Sequence, residues 1–239
     1  MRVQGYAFRR ESPSSICLPA EVRTLSMSAT RNFSNALASA LLLAACGAAE
    51  SGTYRPSPGE PTLAQVRTAT ERFRDVNVAL AEGYVRDPMN LCDTAEMMGR
   101  SAELGAMGIH FFRPDLLGIS GPPNPRVDGA GTHTDFLRPS ILIYEPQADG
   151  TLELVAVENL VFLRAWQAAG HVDPPTFHGL SYDTMADNAN TPVDEAHLFE
   201  PHYDRHVWLY RENPNGVFAQ FNPNVDCGRH RNGEHDSAH

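Results

Sequence analysis

Apolar and polar positions change their period part-way along the chain, dividing it into a helical start and a strand-rich remainder. Thr62 opens the helical part, with Gln65 three residues on to complete a capping box. Leu63, Val66, Phe73, Val76 and Leu80 fall on one face, Arg67, Glu71, Arg74 and Asp75 on the other, and Gly83 ends the run. A second, shorter helix is expected over 95–104. Beyond it come short runs rich in β-branched and aromatic residues. Residues 107–112 (MGIHFF) read as a strand, followed by a Gly- and Pro-rich loop over 114–139. Two apolar runs, 141–145 and 152–163, joined by Pro146-Gln147-Ala148-Asp149-Gly150, make the clearest hairpin signal. Pro174-Pro175 and the polar run 183–195 read as loop, and 206–211 (HVWLYR) and 217–221 as strands around a turn at 213–216. The sum is an α+β fold: one or two N-terminal helices on a curled, mainly antiparallel sheet of about five strands.

Against this pattern a few polar residues stand out. Glu158 sits inside LELVAVENLVFL, apolar on both faces and therefore expected as a buried central strand. Alternation groups it with Leu154, Ala156, Leu160 and Phe162. A buried carboxylate costs several kcal/mol unless it is paired, metal-bound or protonated. An arginine or backbone donor would satisfy it, and so would a metal. His110 lies mid-strand between Ile109 and Phe111, either as a hydrogen-bonded core residue or as a ligand. In EPHYDRHVWLY, Pro201 argues against helix, and as a strand it puts His202, Asp204, His206 and Trp208 on one face. Two imidazoles with a carboxylate between them suit zinc or copper, though a polar sheet edge would read the same way. His133, Asp135, His178 and Glu145 are looser candidates.

The ends of the chain speak of export. Residues 27–46 (MSATRNFSNALASALLLAAC) run from Arg31 through about ten apolar residues to small residues and a cysteine, the layout of a signal peptide. The apolar core is too short to span a bilayer. Leu43-Ala44-Ala45-Cys46 resembles the lipobox of bacterial lipoproteins, which implies a mature protein starting at an acylated Cys46 and anchored through lipid. Gly47 resembles the outer-membrane sorting pattern, placing the protein on the periplasmic side. Residues 1–26 fit no such layout and are read as an upstream extension before a start at Met27. Residues 47–61 read as a tether, 62–227 as one domain, and 228–239 as a disordered tail carrying His230, His235 and His239.

Composition narrows the chemistry. The sequence has no lysine, so its nineteen basic residues are all arginine, which excludes Schiff-base and Walker-lysine mechanisms. Five arginines and two acids precede Cys46, leaving 14 arginines against 27 acids and a net charge of −13. Such a surface repels nucleic acid and anionic headgroups, so only the lipid would hold the protein at a membrane. With Cys17 upstream and Cys46 lipidated, Cys92 and Cys227 remain and are expected to pair in an oxidising compartment; free thiols or metal ligands are the alternative. HEXXH, CxxCH and GxSxG are absent.

The segments AEGYVRDP with Cys92, GAMGIHFF, ILIYEPQADGTLELVAVENLVF and HVWLYRENPNGVFAQFNPNVDC together resemble an uncharacterised family of exported bacterial proteins, over about 150 residues from Ala81 onward. The resemblance implies a domain boundary and no reaction. Three functional readings follow from the residues. The first is an envelope lipoprotein that binds a small molecule or a divalent metal, zinc or copper, the metal through His110, Glu158 and His206, with His202 available as a fourth ligand. The second is a non-enzymatic scaffold in which Glu158 and His110 satisfy each other. The third is a metal-free hydrolase or isomerase using Glu158, with its pKa raised, as general acid.

Overall fold

The computed structural model describes residues 54–231. The expected signal segment with Cys46, and the tail residues His235 and His239, lie outside the described residues. Thr62 caps helix α1 (Leu63–Thr70) as expected: its hydroxyl accepts from the Gln65 amide, and the Gln65 side chain accepts from the Thr62 amide. The helix does not run through to Gly83. It tightens into a 3-10 turn at Glu71–Arg74 and breaks at Asp75, whose carboxylate caps a second helix, α2 (Val76–Ala81). Thr70 bonds back to the Val66 carbonyl and Asp75 offers a ready cap, so the backbone has local alternatives to continuing. The break shifts the buried face: Ala79 points inward and Leu80, expected in the core, is 47% exposed.

Strands β1 (Val85–Arg86), β2 (Cys92–Thr94) and β3 (Ala106–Phe112) follow. Between β2 and β3 the expected helix is two separate 3-10 turns, Glu96–Met98 and Ala102–Leu104, because Gly99 at φ +68° ends the first. A short helix α3 (Pro114–Leu117) opens the long loop. The hairpin is present as β4 (Ile141–Pro146) and β5 (Leu152–Phe162), with α4 (Leu163–Ala168) continuing from it. β6 (Thr176–Phe177) and β7 (Leu180–Ser181) form a small separate ribbon. β8 (Asp183–Met185) lies within a stretch expected to be loop, and β9 (His202–Val207) is the last strand.

Seven strands form one open antiparallel sheet in the order β1-β3-β4-β5-β9-β8, with β2 also on β3. The α+β expectation holds. β5 is central, as its two apolar faces require. β9 begins four residues earlier than the sequence pattern suggests, because His202 to Val207 pair continuously with Phe162 to Val157. The expected strand 217–221 is a turn segment instead: the Trp208 amide bonds the Val217 carbonyl, the Trp208 indole bonds Ala219, and no ladder forms.

Both faces of the sheet are covered. Val66, Phe73, Ala79 and Tyr84, from the helical segment and the residues just after it, pack with Ile109, Phe111, Leu142, Val157 and Val161. Leu117, Val127 and Phe199, from loops, pack with Ile141, Ile143, Ala156, Leu160 and Phe162. Opposite Ile143 and Tyr144, β5 carries one extra residue, Val155. That bulge reverses the alternation, so Leu154 joins the helix-side core and not Glu158's face, as simple alternation predicts. β3 and β4 approach closely at Gly108, φ +118°, where an added Cβ would lie 2.7 Å from the Tyr144 carbonyl oxygen. Cys92 and Cys227 form the expected disulfide, Cα–Cα 5.6 Å across a separation of 135 residues. Closing so long a loop contributes about 2–5 kcal/mol. Among the described residues no helix is long and apolar enough to cross a membrane.

Candidate metal centre

The loop-covered face of the sheet carries the polar residues. In β9 the alternation places His202, Asp204 and His206 opposite Phe162, Leu160 and Glu158. Glu158 is also opposite Ile141 on β4, one strand from β3, which carries His110. β2 brings Asp93 alongside the same strand, opposite Gly108. Asp93, His110, Glu158, His202, Asp204 and His206 are all 4% exposed or less. His197, half-buried, reaches the cluster from the loop before β9, its ring 5.7 Å from that of His110 and 5.8 Å from that of His202.

Distances divide the cluster into two triads. One potential ligand atom from each of His110, Glu158 and His206 lies within 4.8 Å of the others, and the same holds for His197, His202 and Asp204. His110 sits between two carboxylates, Nδ1 3.0 Å from Asp93 and Nε2 3.3 Å from Glu158. His206 Nε2 is 3.4 Å from the same Glu158 oxygen. The His110 and His206 contacts are not aligned as hydrogen bonds. His202 Nδ1 donates to the Glu200 carbonyl at 2.9 Å, which turns its Nε2 inward, 4.0 Å from Asp204. Among the described residues, both nitrogens of His206, both carboxylate oxygens of Asp204, Nε2 of His202 and Nε2 of His197 are buried without a hydrogen-bond partner.

Burial and neighbouring charge pull these groups apart in acidity. Burial pushes the His110 imidazole down, but the carboxylates of Asp93 and Glu158 outweigh it and hold it protonated well above its usual range. Burial raises Glu158, and the imidazoles of His206 and His110 reverse that, leaving it below the ordinary carboxylate range. A general acid at Glu158 needs a raised pKa, the opposite of the direction in which these neighbours move it. Burial pushes His202 down to about 3 and His206 down to about 4, keeping both neutral and able to donate lone pairs. Burial, reinforced by the Glu158 charge, drives Asp204 well above the carboxylate range.

Of the residues singled out from sequence, His110, Glu158 and His206 converge, and His202 groups with Asp204. Trp208 stacks on His206 at 6.1 Å. The looser candidates have local partners elsewhere. Glu145 pairs with Arg211 and accepts from the Asp226 amide. His178 contacts the Pro61 carbonyl, and His133 those of Asp135 and Arg138. His230 reaches the Asn90 carbonyl at 2.7 Å. Asp93 and His197 were not foreseen: one follows a cysteine in a three-residue strand, the other lies in a loop, and neither interrupts an apolar run.

The arrangement can hold a cation with two imidazoles and one carboxylate. Were a cation bound, Asp93 beside His110 and the Glu200 carbonyl behind His202 would fix which ring nitrogen faces it. No protein-family model, curated protein or solved structure matches this chain, so the functional reading rests on the chemistry of the site itself.

Proposed function

We propose that this is a metal-binding protein of the bacterial cell envelope, holding a divalent zinc or copper ion through His110, Glu158 and His206. One observation carries the reading: among the described residues both His206 nitrogens are buried without a hydrogen-bond partner, and Nε2 stands 3.4 Å from the buried Glu158 carboxylate. An unsatisfied buried polar group costs about 1–3 kcal/mol, and a cation would remove that cost at several groups together. Imidazole and carboxylate donors suit zinc and copper better than calcium or magnesium. Three protein ligands leave one tetrahedral position for water. The Cys92–Cys227 disulfide supports an oxidising compartment, in keeping with export and acylation at Cys46.

The enclosure of the site favours a second reading, a scaffold in which His110 is satisfied by Asp93 and Glu158 alone. It leaves His206 unexplained. Both readings meet in one experiment on tag-free protein extracted from membranes, exposed to zinc or copper and dialysed. Elemental analysis is expected to find stoichiometric metal that His206→Ala reduces, and the N-terminal peptide mass is expected to show acylated Cys46. Substoichiometric metal in the wild type would establish the scaffold; an unacylated N-terminus would remove the anchor.

A further inference from the structure

We propose that His197, His202 and Asp204 form a second metal site adjoining the first, so that the protein holds a pair of divalent ions. The inference deepens the metal reading above and rests on it. The three residues offer ligand atoms within 4.8 Å of one another, the same span as the first triad. Each triad supplies two imidazoles and one carboxylate, a donor set suited to the same borderline metals.

Asp204 is the strongest argument. Neither of its oxygens has a hydrogen-bond partner among the described residues, and it is fully buried on the same face as Glu158. His202 Nε2 is 4.0 Å away. That separation is long for a hydrogen bond, while two atoms each about 2.0–2.2 Å from a zinc ion commonly stand 3–4 Å apart. His202 is held for the task, since its Nδ1–H is committed to the Glu200 carbonyl and its Nε2 is left bare.

The backbone gives an independent indication. His197 and the residue after it, Leu198, both adopt left-handed conformations, φ +38° and +71°. Non-glycine residues in that region cost about 1–3 kcal/mol each and persist only where the surroundings impose them. Here Asp194 imposes it: its carboxylate accepts from the Ala196 and Leu198 amides and pairs with Arg126. The Leu198 carbonyl and Glu200 amide are bonded to Val127. The strained turn brings the His197 ring to the buried histidines, with its Nε2 buried and unpartnered.

Three carboxylates, Asp93, Glu158 and Asp204, are buried around the two triads. His197, the one partly exposed ligand, marks the side from which water reaches them.

The test is a count. Wild-type protein saturated with zinc and dialysed is expected to retain two equivalents, and His197→Ala one, with an unchanged far-ultraviolet circular dichroism spectrum. Substitution at this partly exposed loop residue spares the core, and His197→Gln serves as the second variant with the same expected count. One equivalent in the wild type overturns the second site and leaves the first standing; none overturns both. Two equivalents that survive in His197→Ala would place the extra ion elsewhere and overturn the inference, as would loss of both ions from the folded variant.

Discussion

At the scale of single residues, the site is a contest between desolvation and charge. Glu158 is held below the ordinary carboxylate range in a buried position because the charged His110 imidazole stands 3.3 Å from it. His110 stays charged because it has a carboxylate on each side. Asp93 is the residue on which this balance turns, since it faces the His110 nitrogen that points away from Glu158. Removing its charge while keeping its shape, in Asp93→Asn, is expected to weaken metal affinity about 10–100-fold, the usual effect of losing a partner behind a ligating histidine. Competition with a chromophoric chelator measures it, and the count at saturating metal should be unchanged. Glu158, His110 and His206 were legible in the sequence because each interrupts or flanks an apolar strand, where a polar group needs a reason. Asp93 and His197 were not, because a polar residue in a short strand or a loop is ordinary until its neighbours are known.

At the scale of elements, local signals survived and long-range ones moved. The Thr62–Gln65 capping box and the 141–162 hairpin are set within a few residues of chain, and both are present. The extent of β9 is set by its partner β5, and the split of the first helix by the cap at Asp75, so neither was readable from apolar periodicity. The bulge at Val155 likewise exists only against β4. Gly108 shows how tightly these elements depend on each other. Its positive φ and the 2.7 Å approach to Tyr144 leave no room for a side chain between β3 and β4. Gly108→Ala combines backbone strain with overpacking and is expected to destabilise by about 2–5 kcal/mol. Urea unfolding should show the lowered midpoint, and an unchanged midpoint would mean that the two strands are free to separate there.

At the scale of the whole molecule, two tyrosines join the layers and tie stability to alkaline pH. The Tyr144 hydroxyl donates to the Phe73 carbonyl and that of Tyr84 to the Pro139 carbonyl, each at 2.6 Å. Burial raises both hydroxyls well above 10.0, the ordinary value they regain in the unfolded chain. The unfolded state therefore loses these protons first as pH rises, and above about pH 10 stability falls by up to about 1.4 kcal/mol per pH unit for each tyrosine. Denaturant midpoints between pH 9 and 11, read beside tyrosinate absorbance, are expected to fall as this linkage requires; a flat profile would show that the two hydroxyls titrate normally in the fold.

What the sequence determined by itself was local or arithmetical. Apolar periodicity yields the α+β class, turn chemistry the hairpin, and the short cysteine inventory the Cys92–Cys227 bridge. A carboxylate inside an apolar strand announces a buried site at Glu158. The tertiary structure alone decided which residues surround that carboxylate, because strand register, a bulge and a strained loop bring together positions separated by up to about a hundred residues, and only in that enclosure do ordinary histidines and aspartates lose the water that would otherwise satisfy them.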